Sequence, residues 1–157
     1  MLERAGVDTT GVTFVSADFE TEDWLEKLVG AGFDPGKPSF FLWEGVTMYL
    51  DREAVEGTLR KIAGTAPGSI VAFDYYVADV IEARSFYMRY ARAILSATGE
   101  PLKFGIEGSP PMREHVAAFL ESCGLSQEEQ LDLVQGTHRT LAMAGFATGI
   151  VPAAVRG

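Results

Sequence analysis

Cysteine is nearly absent from this chain: Cys123 is the only one in 157 residues. An internal disulfide and a thiolate zinc cluster are therefore excluded. Within Phe119-Leu120-Glu121-Ser122-Cys123 the residue reads as a small buried hydrophobe. Histidine is scarce too, with His115 and His138 alone. Neither has a further ligand at metal-binding spacing, so no metal site is expected. Positive charge is also short, with 13 Lys and Arg against 22 Asp and Glu and a net charge of −9. That balance excludes a nucleic-acid partner, which needs clustered basic residues. No apolar run reaches the ~18–20 residues of a membrane span. The start, Met1-Leu2-Glu3-Arg4, has no basic stretch leading into an apolar one, so no signal peptide is read and a soluble cytoplasmic protein is expected. Ser69 and Ser109 stand in no nucleophile-elbow context.

What the chain has is ordinary core material, 47% hydrophobic residues, enough for about one domain. Val12–Ala17 is short and β-branched and predicts a strand. Thr21 is the expected N-cap of a short helix through Trp24, Leu25, Leu28 and Val29, stopped by Gly30 and Gly32. Phe40–Trp43 predicts a second strand, and Asp51 a cap for a helix through Val55, Leu59 and Ile62. Ser69–Phe73 predicts a third strand ending in Asp74. The strands are apolar at nearly every position, the pattern of strands covered on both faces. Strand and helix alternate, so an α/β fold with a parallel sheet follows. Further on, Val77–Ser96 reads as helical and aromatic-rich, with Phe86, Tyr87 and Tyr90. Thr98–Pro111 reads as a loop long enough to serve as a cover. A helix from Met112 to Cys123 follows, then strand candidates at Leu131–Gln135 and Ala144–Pro152.

Three predicted strands end in acids: Asp18, Glu44 and Asp74. In an open parallel sheet, ligands bind beyond the carboxyl ends of the strands. Acids in strand–helix loops also cap helices, so each has a structural reading beside the functional one. Together they suit a ligand bearing hydroxyls, an amine or a cationic sulfur.

Val15-Ser16-Ala17-Asp18-Phe19-Glu20, Thr21-Glu22-Asp23-Trp24-Leu25, the run from Pro38 through Trp43-Glu44-Gly45-Val46-Thr47-Met48-Tyr49-Leu50, and Pro67–Tyr75 closely resemble one family. It is the bacterial S-adenosylmethionine-dependent methyltransferases related to leucine carboxyl methyltransferases. The resemblance implies a Rossmann-like class I methyltransferase sheet of strand order 3-2-1-4-5-7-6, with S-adenosyl-L-methionine as cofactor and a C-terminal antiparallel strand pair. It implies that Asp18 and Phe19 meet the adenine and that Glu44 lies against the cofactor. Tyr49 becomes a candidate to face the transfer site, or else packs under the following helix. Arg84, Arg89 and Arg92 become candidate anchors for an acidic acceptor.

One departure stands out. The family begins with a strand, a glycine-rich turn, a helix and a second strand, and this chain opens at the family's third strand. Gly30-Ala31-Gly32 imitates that turn but follows a helix, so its context fails. The expectation is a single partial domain over residues 1–157, lacking its first two strands. Residues 12–76 would form the core, 77–111 a cover, and 112–157 the terminal helix and strands. Exposed strand edges would invite self-association. The implied activity is methyl transfer to oxygen, with a small-molecule acceptor bearing a carboxylate or hydroxyl. The alternative is a non-catalytic remnant or partner subunit. A nicotinamide oxidoreductase would need a Gly-x-Gly-x-x-Gly after a strand, which is missing.

Overall fold

The computed structural model describes residues 6, 8–82, 90, 93, 101–109, 111–134 and 142–153. The chain falls into two compact units, Met1–Asp34 and Pro35–Gly157.

In the first unit the expected strand at Val12–Ala17 does not form; the segment is irregular, and Val12 and Phe14 are exposed. β-branched residues favour a strand only where a ladder and a packing surface are offered. No ladder reaches this segment among the described residues. Helix α1 spans Trp24–Gly30, and its N-cap is Asp23 rather than Thr21. Asp23 Oδ1 accepts from the backbone N–H groups of Leu25 and Glu26, at 3.1 Å each. Thr21 is drawn away from capping because its hydroxyl donates to Asp18 Oδ2 at 2.8 Å.

The second unit holds strand β1 (Phe40–Trp43), helix α2 (Arg52–Ala63), strand β2 (Ile70–Tyr76) and the short helix α3 (Ala78–Glu82). Helix α4 (Arg113–Ser122), strand β3 (Ser126–Val134) and strand β4 (Ala142–Ile150) complete it. The four strands form one mixed sheet of order β1-β2-β4-β3. β1 and β2 are parallel, while β2–β4 and β3–β4 are antiparallel. This reproduces the 4-5-7-6 half of the order the resemblance implied, including the antiparallel terminal pair.

Two strand boundaries and one cap differ from the expectation. β2 runs past Asp74 to Tyr76, because β4 supplies partners as far as Tyr76↔Ala144; Asp74 is thus within the strand. β3 begins at Ser126 rather than Leu131, its polar first half held by β4 on one side. Asp51 does sit at the start of α2, where its carbonyl accepts the Val55 N–H at 3.1 Å. Its carboxylate makes no cap; it lies 3.6 Å from Lys103 Nζ.

The core lies on one side of the sheet. Val71, Phe73 and Tyr75 of β2 are buried there, with Val55, Leu59 and Ile62 of α2 and Val116 and Leu120 of α4. Gly149 of β4 faces this side so closely that an added Cβ would stand 3.1 Å from Leu120 Cδ2. The opposite side carries Phe40, Leu42, Leu131, Leu133 and Phe146, all exposed. Among the described residues no helix is long and apolar enough to cross a membrane.

Candidate functional site

The parallel register Trp43↔Phe73 sets Glu44 beside Asp74, where β1 leaves the sheet. The chain then reverses at Gly45, whose φ of +73° is costly for any residue with a Cβ. Asp74 latches this turn to β2: its Oδ1 accepts the Gly45 N–H at 3.0 Å, and its carbonyl accepts the Thr47 hydroxyl at 2.7 Å. Thr47–Tyr49 form one 3-10 turn with Thr47 and Met48 buried. The Met48 carbonyl accepts from the N–H groups of Lys103 and Phe104, at 2.8 and 3.2 Å. The described part of the expected cover loop therefore packs on the turn that follows Glu44. Arg52 braces it, its guanidinium 5.4 Å from the Phe104 ring centroid and 3.2 Å from the Gly105 carbonyl.

Glu44 itself is exposed and makes no hydrogen bond or ion pair among the described residues. It stands at the rim of an open groove of about 570 Å³ on the uncovered side of the sheet. Leu42, Ala72, Leu131 and Phe146 give that groove apolar lining; Asp74, Glu128 and Glu129 add acids, and Arg113 one cation. The structure thus joins Glu44 and Asp74. Arg113, Glu128, Glu129 and Phe146 had not been singled out, because they come from α4, β3 and β4, far along the chain. Only the acidic start of β3 was a local signal.

Asp18 and Phe19 belong to the first unit. The Asp18 carboxylate accepts from the Glu20 N–H at 2.9 Å and the Thr21 hydroxyl at 2.8 Å. Its own N–H donates to Glu22 Oε2 at 2.8 Å. Glu22 also meets Lys27 Nζ at 2.6 Å, and that lysine first of all holds its carboxyl below the usual range. The Phe19 ring lies 6.1 Å from that of Trp24, tilted by 45°. Asp18 is therefore the organiser of its own turn, whatever else it does. Tyr49 is half-buried, with no side-chain hydrogen bond among the described residues.

Arg84, Arg89, Arg92, Phe86, Tyr87 and His138 lie outside the described residues; Tyr90 is exposed. His115 is exposed on α4, its ring close against Gly108. No group of three His, Cys, Asp or Glu among the described residues could hold a metal.

A part-buried polar cluster sits around Tyr75 on the core side of the sheet. Tyr75 is fully buried, and its Oη accepts from Gln130 Nε2 at 2.7 Å and lies 3.4 Å from Asp132 Oδ1. Gln130 also donates to Asp132. Burial, above all, pushes the Tyr75 phenol up to about 12. Gly145 of β4 lies directly against the ring: an added Cβ would stand 2.6 Å from Tyr75 Cζ. Glycine within a strand was the sequence signal for this close approach, and it went unread.

Residues 1–63 match the model of the leucine carboxyl methyltransferase family. A protein of Mycobacteroides abscessus, named "Putative S-adenosyl-L-methionine-dependent methyltransferase", is 40% identical over 146 residues. That match covers 89% of this chain and 47% of the relative. A protein of the same description from a Parafrankia species is 36% identical over 100 residues, 62% of this chain and 31% of its own. The chain thus spans between about a third and a half of the length of these relatives. Among solved structures, mitomycin 7-O-methyltransferase superposes with a TM-score of 0.55 at 19% identity, over 95% of this chain and 36% of that one. A DUF574 family protein from Streptomyces avermitilis gives 0.55 at 13% identity, over 83% of this chain and 53% of that one. These likenesses establish the fold. The resemblance read from the Trp43–Leu50 run and its companions to the leucine carboxyl methyltransferase family is borne out.

Proposed function

We propose that this chain supplies the adenosine-facing part of an S-adenosyl-L-methionine-dependent methyltransferase that methylates oxygen. The observation that carries the reading is Glu44: an exposed carboxylate with no partner among the described residues, at the carboxyl end of β1 in a family-matched segment. An ionised carboxylate there can accept from ribose hydroxyls. By the family resemblance Asp18 and Phe19 meet the adenine; Phe19 is half-exposed beside Trp24.

The cofactor supplies a methyl group on a positively charged sulfur. Glu44, held in place by the Asp74–Gly45 latch, binds and orients; the net negative chain favours a cationic ligand. Tyr49 follows on the same turn, which the 101–109 loop pins through Met48. It is the residue here best placed along the run to meet an acceptor oxygen. A carboxylate or hydroxyl acceptor follows from the leucine carboxyl resemblance alone.

Titration calorimetry with S-adenosylhomocysteine tests this reading. A single exposed carboxylate at an open strand end predicts a Kd of about 0.1 mM or weaker. Glu44→Gln removes a charge-assisted hydrogen bond worth about 1.5–3 kcal/mol and should weaken binding by roughly ten- to a hundredfold with the circular dichroism spectrum unchanged. Equal binding by both proteins, or none at millimolar ligand, would overturn the assignment.

A further inference from the structure

A second cavity, sharing no lining residue with the Glu44 groove, opens between the start of α2, the short helix α3 and the 101–107 segment. Its volume of about 340 Å³ lies at the small end of the ~300–1,000 Å³ range of ligand pockets. Backbone hydrogen bonds fix its walls. The Ile106 N–H donates to the Tyr76 carbonyl at 2.8 Å, and the Ile106 carbonyl accepts the Ala78 N–H at 2.9 Å. Gly105 comes so near α3 that an added Cβ would stand 2.7 Å from Ala78 Cα. Ile81 and Phe104, both buried, supply apolar lining.

Arg52 is the strongest polar feature of this cavity. Its guanidinium stands 5.4 Å from the Phe104 ring centroid, and Nη1 lies 3.6 Å from Glu56 Oε1 one helical turn on. Nη2 donates to the Gly105 carbonyl at 3.2 Å and to Glu107 Oε1 at 3.1 Å. The Phe104, Glu56 and Gly105 contacts belong to fixed elements. Glu107 differs, because its side chain is 82% exposed and reaches the guanidinium from solvent. Exposed ion pairs of this kind hold weakly. Lys103, 3.6 Å from the Asp51 carboxylate, adds a second cation to the lining, and Glu82 a second acid. With Glu107 swung out, two cations face one acid, and a single incoming carboxylate restores the balance. A phosphate ester would bring up to about two charges where one is wanted. We infer that Glu107 is a resident stand-in for a ligand. The cavity takes a small molecule bearing one carboxylate on an apolar body; its carboxylate replaces Glu107 on Arg52, and its body lies against Ile81 and Phe104. The inference does not rest on the cofactor reading, and each readout below is made without cofactor.

The test uses the full chain, isotope-labelled for amide chemical-shift mapping, and two probes, phenylbutyrate and its neutral amide. Shifts should appear at Ile81, Lys103 and Gly105, with the carboxylate binding about tenfold or more tightly than the amide. Glu107→Gln should tighten carboxylate binding by roughly two- to fivefold, because the competing acid is gone. Arg52→Gln should weaken it by roughly tenfold or more. Where Arg52→Gln also lowers the melting temperature, Glu107→Gln decides alone, since that side chain lies in solvent. A bridge that merely braces the segment predicts no gain in that variant. Equal binding of acid and amide, absence of binding at millimolar probe, shifts confined to residues outside the lining, or unchanged or weaker binding in Glu107→Gln overturns the inference.

Discussion

Replacing Gly145 with alanine should be among the most damaging single-methyl changes in this molecule. The new Cβ would stand 2.6 Å from Tyr75 Cζ and 2.8 Å from the Leu131 carbonyl oxygen. Neither neighbour can yield cheaply. Leu131 O is backbone in a paired strand, and Tyr75 is fully buried with its ring 6.3 Å from Phe73. Overpacking of this kind costs about 1–3 kcal/mol. If the ring moves instead, the phenol leaves Gln130 and Asp132, and a buried polar group without partners costs about 1–3 kcal/mol more. The sum is about 2–6 kcal/mol, a large share of the ~5–15 kcal/mol that holds a domain together. Urea unfolding followed by circular dichroism measures it. The control is Gly57→Ala in α2, where an added Cβ meets nothing within 4 Å. That change should stabilise by roughly 0.5–1 kcal/mol through helix propensity. Because Gly145 and Tyr75 touch, a double-mutant cycle with Tyr75→Leu should show strong coupling. A Gly145→Ala loss below about 0.5 kcal/mol would refute the close packing of β4 on Tyr75.

Tyr75 also predicts a pH dependence. Its folded pKa is raised above the ordinary value of 10.0 to about 12, so the folded state holds the proton that the unfolded state gives up. Stability should be intact below pH 10 and fall between about 10 and 12, by up to ~1.4 kcal/mol per pH unit, with Tyr75→Phe flattening that decline. Asp74→Ala should release the Gly45 N–H, cost about 1 kcal/mol in denaturant unfolding and speed Gly45 amide exchange; Asp74→Asn, which keeps an acceptor, should do less. Asp23→Ala should cost about 1 kcal/mol and fray α1, read by amide exchange at Leu25 and Glu26, whereas Thr21→Ala should leave those amides protected.

The elements legible in the sequence were those whose partners are dictated by their own pattern. β1 is a short apolar run closed by Glu44 and the Gly45 turn, β2 opens on the apolar run Ile70–Phe73, and α2 and α4 bury a regular stripe ahead of Gly64 and Gly124. What was misread depends on neighbours the pattern does not name. Val12–Ala17 has strand composition but no ladder among the described residues, and composition alone does not make a strand. Ser126-Gln127-Glu128-Glu129-Gln130 is too polar to announce a strand, and becomes one because β4 pairs with it at the edge of the sheet, where charge is tolerated. Thr21 lost the cap to Asp23 through a single hydrogen bond to Asp18. At the site, Glu44 was legible from its position after an apolar strand. The Asp74 latch on Gly45 was not, because 29 residues separate the partners and only the parallel register brings them together.

Amide chemical-shift mapping with S-adenosylhomocysteine bears most directly on the central claim, that the strand end at Glu44 faces the cofactor. The account predicts that Glu44, Gly45 and Asp74 shift together along one titration curve, and that Glu44→Gln weakens that curve by roughly ten- to a hundredfold. Shifts confined to other residues, or shifts at Gly45 and Asp74 that survive Glu44→Gln unchanged, would contradict it.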